Sequence, residues 1–124
     1  MEKAHSQGKI GAIGVSNYTI AHLEELMANS DVVPTVNQVE FSPFLFQREL
    51  LVFCRGHAIQ LEAYCPLTHG ARLDDPVVRS VARRHDKTAA QVLLRWGLQH
   101  EVAVIPKSSQ PPRIEENADL FDFV

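Results

Sequence analysis

Two periods of apolar residues alternate along this chain: short continuous runs, and longer stretches with apolar positions three or four apart. Lys9 to Val15 reads as a short buried strand ending at Ser16-Asn17. Thr19 to Asn29 then sets Ile20, Leu23 and Met27 on one helical face. After the Pro34 breaker comes a strand from Thr35 to Val39, ending near Glu40. A helix from about Gln47 to Arg55 follows, with Leu50, Leu51 and Cys54 inward and Gly56 as its stop signal. Ala58 to Tyr64 is a third strand, closed by Pro66. Asp75-Pro76 is an N-cap with proline at the first helical position, and opens a helix to about Arg84. Thr88-Ala89-Ala90-Gln91 has the form of a capping box and starts a helix carrying Val92, Leu93 and Trp96. Val102 to Ile105 is the fourth strand. The last helix runs from Pro112 to about Leu120 and is expected to bury Ile114, Ala118 and Phe121.

Strands this short and apolar, each followed by a helix, predict a parallel sheet covered on its outer face. The pattern is four βα units with one extra helix inserted, in a single domain without a linker. A doubly wound sheet fits less well, because Gly8-x-x-Gly11-x-x-Gly14 has the wrong spacing for a dinucleotide fingerprint and leads into a strand instead of following one.

Composition narrows the class. At 124 residues, 45% hydrophobic and 22% charged, the chain is long enough for one usable core. Its net charge of −3 argues against a nucleic-acid or anionic-membrane surface. No window approaches a membrane span of about 18 apolar residues, and the amino end carries no apolar signal core. Cys54 and Cys65 sit in apolar company without metal spacing, as expected of reduced, buried thiols in the cytoplasm. The six histidines are scattered, so no metal site is expected.

The chemistry gathers at strand ends. Ile105-Pro106-Lys107-Ser108 brings a lysine and a hydroxyl to the end of the last strand. Pro111-Pro112 then opens a helix whose first turn carries Arg113. Two cations, a hydroxyl and a helix N-terminus suit a terminal phosphate. The same residues also fit an ordinary solvated loop, and spacing alone leaves both readings open. Ser16 and Asn17, Gln38 and Glu40, and Tyr64 end the other three strands, the end that carries the site in parallel α/β architectures.

Together these segments resemble the carboxyl-terminal half of the aldo-keto reductases, which reduce carbonyl compounds with NADPH on a (β/α)8 barrel. The matching pieces are Gly14-Val15-Ser16-Asn17, Val36-Asn37-Gln38-Val39-Glu40, Ala63-Tyr64-Cys65-Pro66-Leu67, Ile105-Pro106-Lys107-Ser108, and Arg113 with Glu116-Asn117, all in the family's order from about Gly8 to Phe123. The fold implied is α/β, a partial (β/α)8 TIM barrel made of the last four βα units, with parallel strands and outer helices. The cofactor implied is NADPH. By this resemblance Ser16, Asn17 and Gln38 hydrogen-bond the nicotinamide carboxamide, and Tyr64 stacks on the ring. Leu67 and its neighbours line the pyrophosphate path. Lys107, Ser108 and Arg113 clamp the 2′-phosphate, while Glu116 and Asn117 contact the adenine side. Cys65 stands where the family often has serine, with little consequence expected.

Each position also has a plainer reading. Ser16 or Asn17 could cap the following helix, and Gln38 could satisfy a buried backbone group. Tyr64 could be a core aromatic, and Glu116 could favour the helix's first turn. Five motifs in order favour the cofactor.

The resemblance places the family's catalytic tyrosine, lysine, aspartate and histidine on strands preceding this sequence. Neither Tyr18 nor Tyr64 has a local lysine–aspartate pair to make it a proton donor. The expectation is therefore a fragment, one partial barrel domain over residues 1–124, inactive alone and meeting a small carbonyl substrate only when completed by an amino-terminal half. Open strand edges, and inward residues such as Ile13, Val36, Leu61 and Val104 without facing layers, offer a route to self-association. The alternative is a non-catalytic NADPH-binding or assembly module. A serine hydrolase built on Ser16 fails because Gly14-Val15-Ser16-Asn17-Tyr18 lacks the second glycine of a nucleophile elbow.

Overall fold

Backbone pairing begins at Gly14. The computed structural model describes residues 1–124. In it β1 (Gly14–Ser16) runs parallel to β2 (Val36–Glu40), with Gly14, Val15 and Ser16 opposite Val36, Asn37 and Gln38. β3 (Gln60–Tyr64) and β4 (Ala103–Val104) complete a four-stranded parallel sheet in chain order. The helices are α1 (Glu2–Ser6), α2 (Ile20–Asn29), α3 (Arg48–Gly56), α4 (Pro76–His85), α5 (Ala89–Gln99) and α6 (Pro111–Ala118). A 3₁₀ turn covers Thr68–Gly70. None of the helices is long and apolar enough to cross a membrane.

The chain divides into two compact units, Met1–Val39 with Gln47–Glu62, and Glu40–Phe46 with Ala63–Val124. In the first, Leu23, Val39, Leu50, Leu51, Cys54, Ile59 and Leu61 form the core. The fully buried leucines each contribute about 1.5–3 kcal/mol over an exposed position. Thr19 caps α2, its Oγ1 accepting from the His22 N–H while His22 Nδ1 accepts from the Thr19 N–H. Neither Ser16 nor Asn17 is the cap.

In the second unit, Phe41, Ala63, Val78, Ala82, Leu93, Leu94, Val102 and Leu120 are buried. The Phe41 and Phe46 rings each lie 5.2 Å from the Trp96 ring. Asp75 caps α4 through the N–H groups of Val77 and Val78, and Thr88 with Gln91 closes the capping box of α5, both as the sequence predicts. The carboxyl-terminal segment is tied to the start of α5. Lys87 Nζ contacts Asp119 at 2.9 Å and Asp122 at 2.8 Å, and Gln91 Nε2 donates to the Asp119 carbonyl at 2.8 Å.

Several expectations are corrected. Lys9 to Ile13 is not strand; the only ladder-type bond there is from Thr35 N–H to the Ile13 carbonyl, and pairing starts where Gly14 lets the backbones close. α3 does end at Gly56, as the sequence predicts, but Gly56 is its last helical residue and the left-handed turn falls on Ala58 at φ 56°. α6 buries none of its residues, Ile114 being 53% exposed and Ala118 exposed; beyond its end Phe121 is 77% exposed, while Leu120 at 3% does the anchoring. Leu61 does not belong to an uncovered face. It is 1% exposed and alternates with Gln60, Glu62 and Tyr64, which point the other way.

Candidate functional site

The predicted residues form two groups, one on each unit. On the first, β1 ends in a left-handed Asn17 (φ 58°), a conformation asparagine tolerates better than most residues. Asn17 N–H donates to the Gln38 carbonyl at 2.8 Å, and Ser16 Oγ donates to the same oxygen at 3.0 Å. The Gln38 side chain lies elsewhere: its Nε2 donates to Glu62 Oε1 at 2.6 Å. Gln38 therefore pairs with a carboxylate on the neighbouring strand, not with a buried backbone group. Ser16 and Asn17 thus meet the backbone of Gln38, while its side chain turns to Glu62. Glu62 joins them unannounced by the sequence, because its place depends on the register of β3, although its position two residues before Tyr64 on one face was a usable signal.

Asn37 is the second residue that the sequence did not single out. Wholly buried, its Nδ2 donates to the Tyr18 carbonyl at 2.9 Å and its Oδ1 accepts from the Tyr18 N–H at 3.3 Å. It holds the loop that carries Asn17. Cys54 packs beneath it, and burial pushes that thiol above its ordinary pKa, an effect partly offset by a hydrogen bond with Asn37.

On the second unit, a cavity of about 440 Å³ collects Leu67, Lys107, Ser108, Arg113, Glu116 and Asn117, six of the predicted residues. Tyr64 ends β3 half-buried and does not itself line the cavity; the next residue, Cys65, lines it and is only half-buried, not buried as its apolar neighbours suggested. The turn below β3 is conformationally costly: Cys65 (φ 48°), Thr68 (φ 50°) and His69 (φ 53°) are all left-handed. Residues held this way each store on the order of 1–3 kcal/mol and concentrate at functional loops.

Whatever the cavity offers an anion comes from side chains. At the start of α6, Pro111 and Pro112 have no N–H, and the Arg113 N–H already bonds the Gln110 carbonyl at 3.0 Å. The predicted helix-terminus contribution is therefore largely missing, leaving the Lys107 ammonium, the Arg113 guanidinium and the Ser108 hydroxyl. Ser108 Oγ also accepts from the Gln110 N–H at 3.1 Å, which fixes its position. Glu116 Oε1 accepts from Thr88 Oγ1 at 2.6 Å, so one carboxylate oxygen is held by α5 and the other remains for a ligand. Nowhere does a group of three or more His, Cys, Asp or Glu gather to hold a metal ion.

Comparison with known proteins gives these residues a context. The family model described as Aldo/keto reductase family matches residues 1–124. The chain is 54% identical over 123 residues to the glyoxal reductase of Bacillus subtilis (strain 168), covering 99% of this chain and 45% of that protein. Among solved structures, the aldo-keto reductase MGS-M4 from a Medee basin deep-sea metagenome library superposes at a TM-score of 0.95 with 43% identity, covering 99% of this chain and 47% of that one. A Gox0644 mutant in complex with NADPH gives the same TM-score of 0.95 and 43% identity, with 99% and 45% covered. The solved relatives are TIM barrels, and the chain spans about half the length of the relatives it matches.

Proposed function

Because this chain belongs to the aldo/keto reductase family of oxidoreductases, we propose that it carries the cofactor-binding part of an NADPH-dependent carbonyl reductase. The observation that carries this reading is the cavity shared by Lys107, Ser108, Arg113, Glu116, Asn117 and Leu67. Its volume of about 440 Å³ is that of a small-ligand pocket, and two cations beside a hydroxyl match a phosphate monoester. The NADPH-bound Gox0644 mutant supports the choice of cofactor.

Bound NADPH supplies a hydride to the carbonyl carbon. Lys107 and Arg113 neutralise the 2′-phosphate and Ser108 donates to it. Glu116, through the oxygen not held by Thr88, and Asn117 take the adenine side, and Leu67 and its neighbours line the pyrophosphate path through backbone groups. Ser16, Asn17 and Gln38 orient the carboxamide, and Tyr64 offers its ring face to the nicotinamide. The acid that protonates the carbonyl oxygen is not among these residues, so the chain alone is inactive and acts on small carbonyl compounds when completed by an amino-terminal half. On this reading residues 1–124 are part of one barrel domain. The two free thiols fit a reducing cytoplasm.

The test is discrimination between cofactors. Lys107→Ala and Arg113→Ala weaken NADPH binding by about 1–3 kcal/mol each and leave NADH binding nearly unchanged. Equal losses for both cofactors refute the assignment. Mixing the chain with a separately made amino-terminal half restores NADPH oxidation by an aldehyde, with glyoxal as the first substrate to try. A stable complex without turnover indicates a non-catalytic assembly module instead.

A further inference from the structure

The cavity holds one pair of side chains that the nucleotide reading does not use. Cys65 Sγ lies 3.3 Å from His69 Nε2, and both residues line the cavity. The pairing is local in sequence but depends on the turn: left-handed backbone at Cys65, Thr68 and His69 folds the imidazole back over the thiol four residues earlier. A thiol with an imidazole in reach has a built-in proton acceptor. The surroundings are specific as well. Lys107 and Arg113 face the same space, opposed there by Glu116, so the cavity presents two cations and one acid to whatever approaches the sulfur.

We propose that Cys65 is a thiol-modification site for a small disulfide carrying carboxylates, of the glutathione-disulfide type. His69 Nε2 takes the thiol proton, and the Cys65 thiolate attacks one sulfur of the disulfide. A sulfur–sulfur bond to Cys65 forms as the bond within the reagent breaks, and the departing half leaves as a thiolate that takes up the proton from the imidazolium. The Cys65 sulfur is oxidised and the released half is reduced, so the disulfide itself is the oxidant. Lys107 and Arg113 attract its carboxylates and hold it over the sulfur. The modification shares its two cations with the proposed nucleotide site but needs no bound nucleotide.

Cys54 supplies an internal reference within the same chain. It is 0% exposed, and burial raises its pKa, so both access and ionisation oppose its reaction.

The experiment treats the intact chain with glutathione disulfide and follows adducts by intact mass and peptide mapping. The expected result is a single adduct on Cys65, with Cys54 reacting only in denaturant, and no adduct on the folded Cys65→Ser variant. His69→Gln slows the reaction by about tenfold or more, as loss of a positioned base does. Lys107→Ala slows glutathione disulfide but not the uncharged 2-hydroxyethyl disulfide. Reaction of Cys54 as fast as Cys65 in the native chain overturns the proposal without recourse to any variant. So does a His69→Gln variant with an unchanged circular-dichroism spectrum and an unchanged rate. A last arm adds NADPH. If it fails to shield a Cys65 that still reacts in a His69-dependent way, the modification site stands and the nucleotide assignment falls.

Discussion

The side-chain amide of Asn37 spans the peptide groups on both sides of the Tyr18 α-carbon, donating to its carbonyl at 2.9 Å and accepting from its N–H at 3.3 Å. A strand residue thus imitates a neighbouring strand for a loop that has none. Asn37→Leu keeps the volume and strands both Tyr18 groups. The expected cost is about 1–3 kcal/mol for each group left without a partner, read as a lower urea midpoint. Asn37→Asp keeps the acceptor but sets a buried carboxylate oxygen against the Tyr18 carbonyl, so it should lose at least as much. A loss below about 0.5 kcal/mol for Asn37→Leu would show that the loop simply turns to water.

Lys87 gives stability a pH signature at both ends. Its hydrogen bonds to Asp122 and then Asp119 hold the ammonium above the ordinary lysine value of 10.5, and the Lys87 bond holds the Asp122 carboxyl below its ordinary 3.8. The lysine contribution is complete below its ordinary value and disappears as pH rises through the raised one. The aspartate contribution is complete above its ordinary value and disappears as pH falls through the lowered one. Tm measured against pH should therefore flatten on both limbs in Lys87→Met, and in Asp122→Asn on the acid limb and partly on the alkaline one, where Asp119 still supports the lysine. Identical profiles for wild type and Lys87→Met would contradict this.

Thr88 joins two elements through one hydroxyl. Its Oγ1 accepts from the Gln91 N–H at 3.2 Å and donates to Glu116 at 2.6 Å. Thr88→Val retains the shape and removes both bonds, with an expected loss of about 1–2 kcal/mol in chemical denaturation. Glu116→Gln in the same background should add little, because its partner is already gone; additive losses would mean that the two residues act separately.

Two glycines are required by close approach. A Cβ at Gly14 would stand 2.8 Å from the Val36 carbonyl oxygen, while one at Gly97 would stand 2.8 Å from Val104 Cγ1. The first obstacle is backbone and cannot move without opening the β1–β2 pairing. Gly14→Ala should therefore cost about 1–3 kcal/mol. Gly97→Ala meets a side chain instead, so combining it with Val104→Ala should recover stability that Gly97→Ala alone loses, by thermal melt. A double variant no better than the sum of the singles would refute the contact.

Local rules carried furthest where the signal is local. The Thr88–Gln91 box, the Asp75-Pro76 start and the inward Leu50, Leu51 and Cys54 follow from spacing within one turn or two, and the structure has them as read. Lys107, Ser108 and Arg113 share a cavity because seven residues cannot carry them far apart. The misreadings arise where partners come from elsewhere. Ile10 and Ile13 look like strand, yet a strand needs a neighbour, and β2 reaches only as far as Gly14. Ile114 and Phe121 fit a helical stripe, but nothing packs on it, and Leu120 is held instead. Glu62 and His69 are hard to read from the sequence for a related reason. The first acquires meaning from cross-strand register, and the second from three left-handed residues that no propensity announces.

Pro111 and Pro112 leave the cavity's grip on an anion to long, flexible, water-facing cations. Fixed amides aim a charge whatever the solvent does, whereas such cations are screened within about 3 Å at 1 M salt. On the proposed function, a phosphate-bearing ligand would be held here by a force that ordinary ions can dilute, which would make ionic strength itself a control on what the cavity retains.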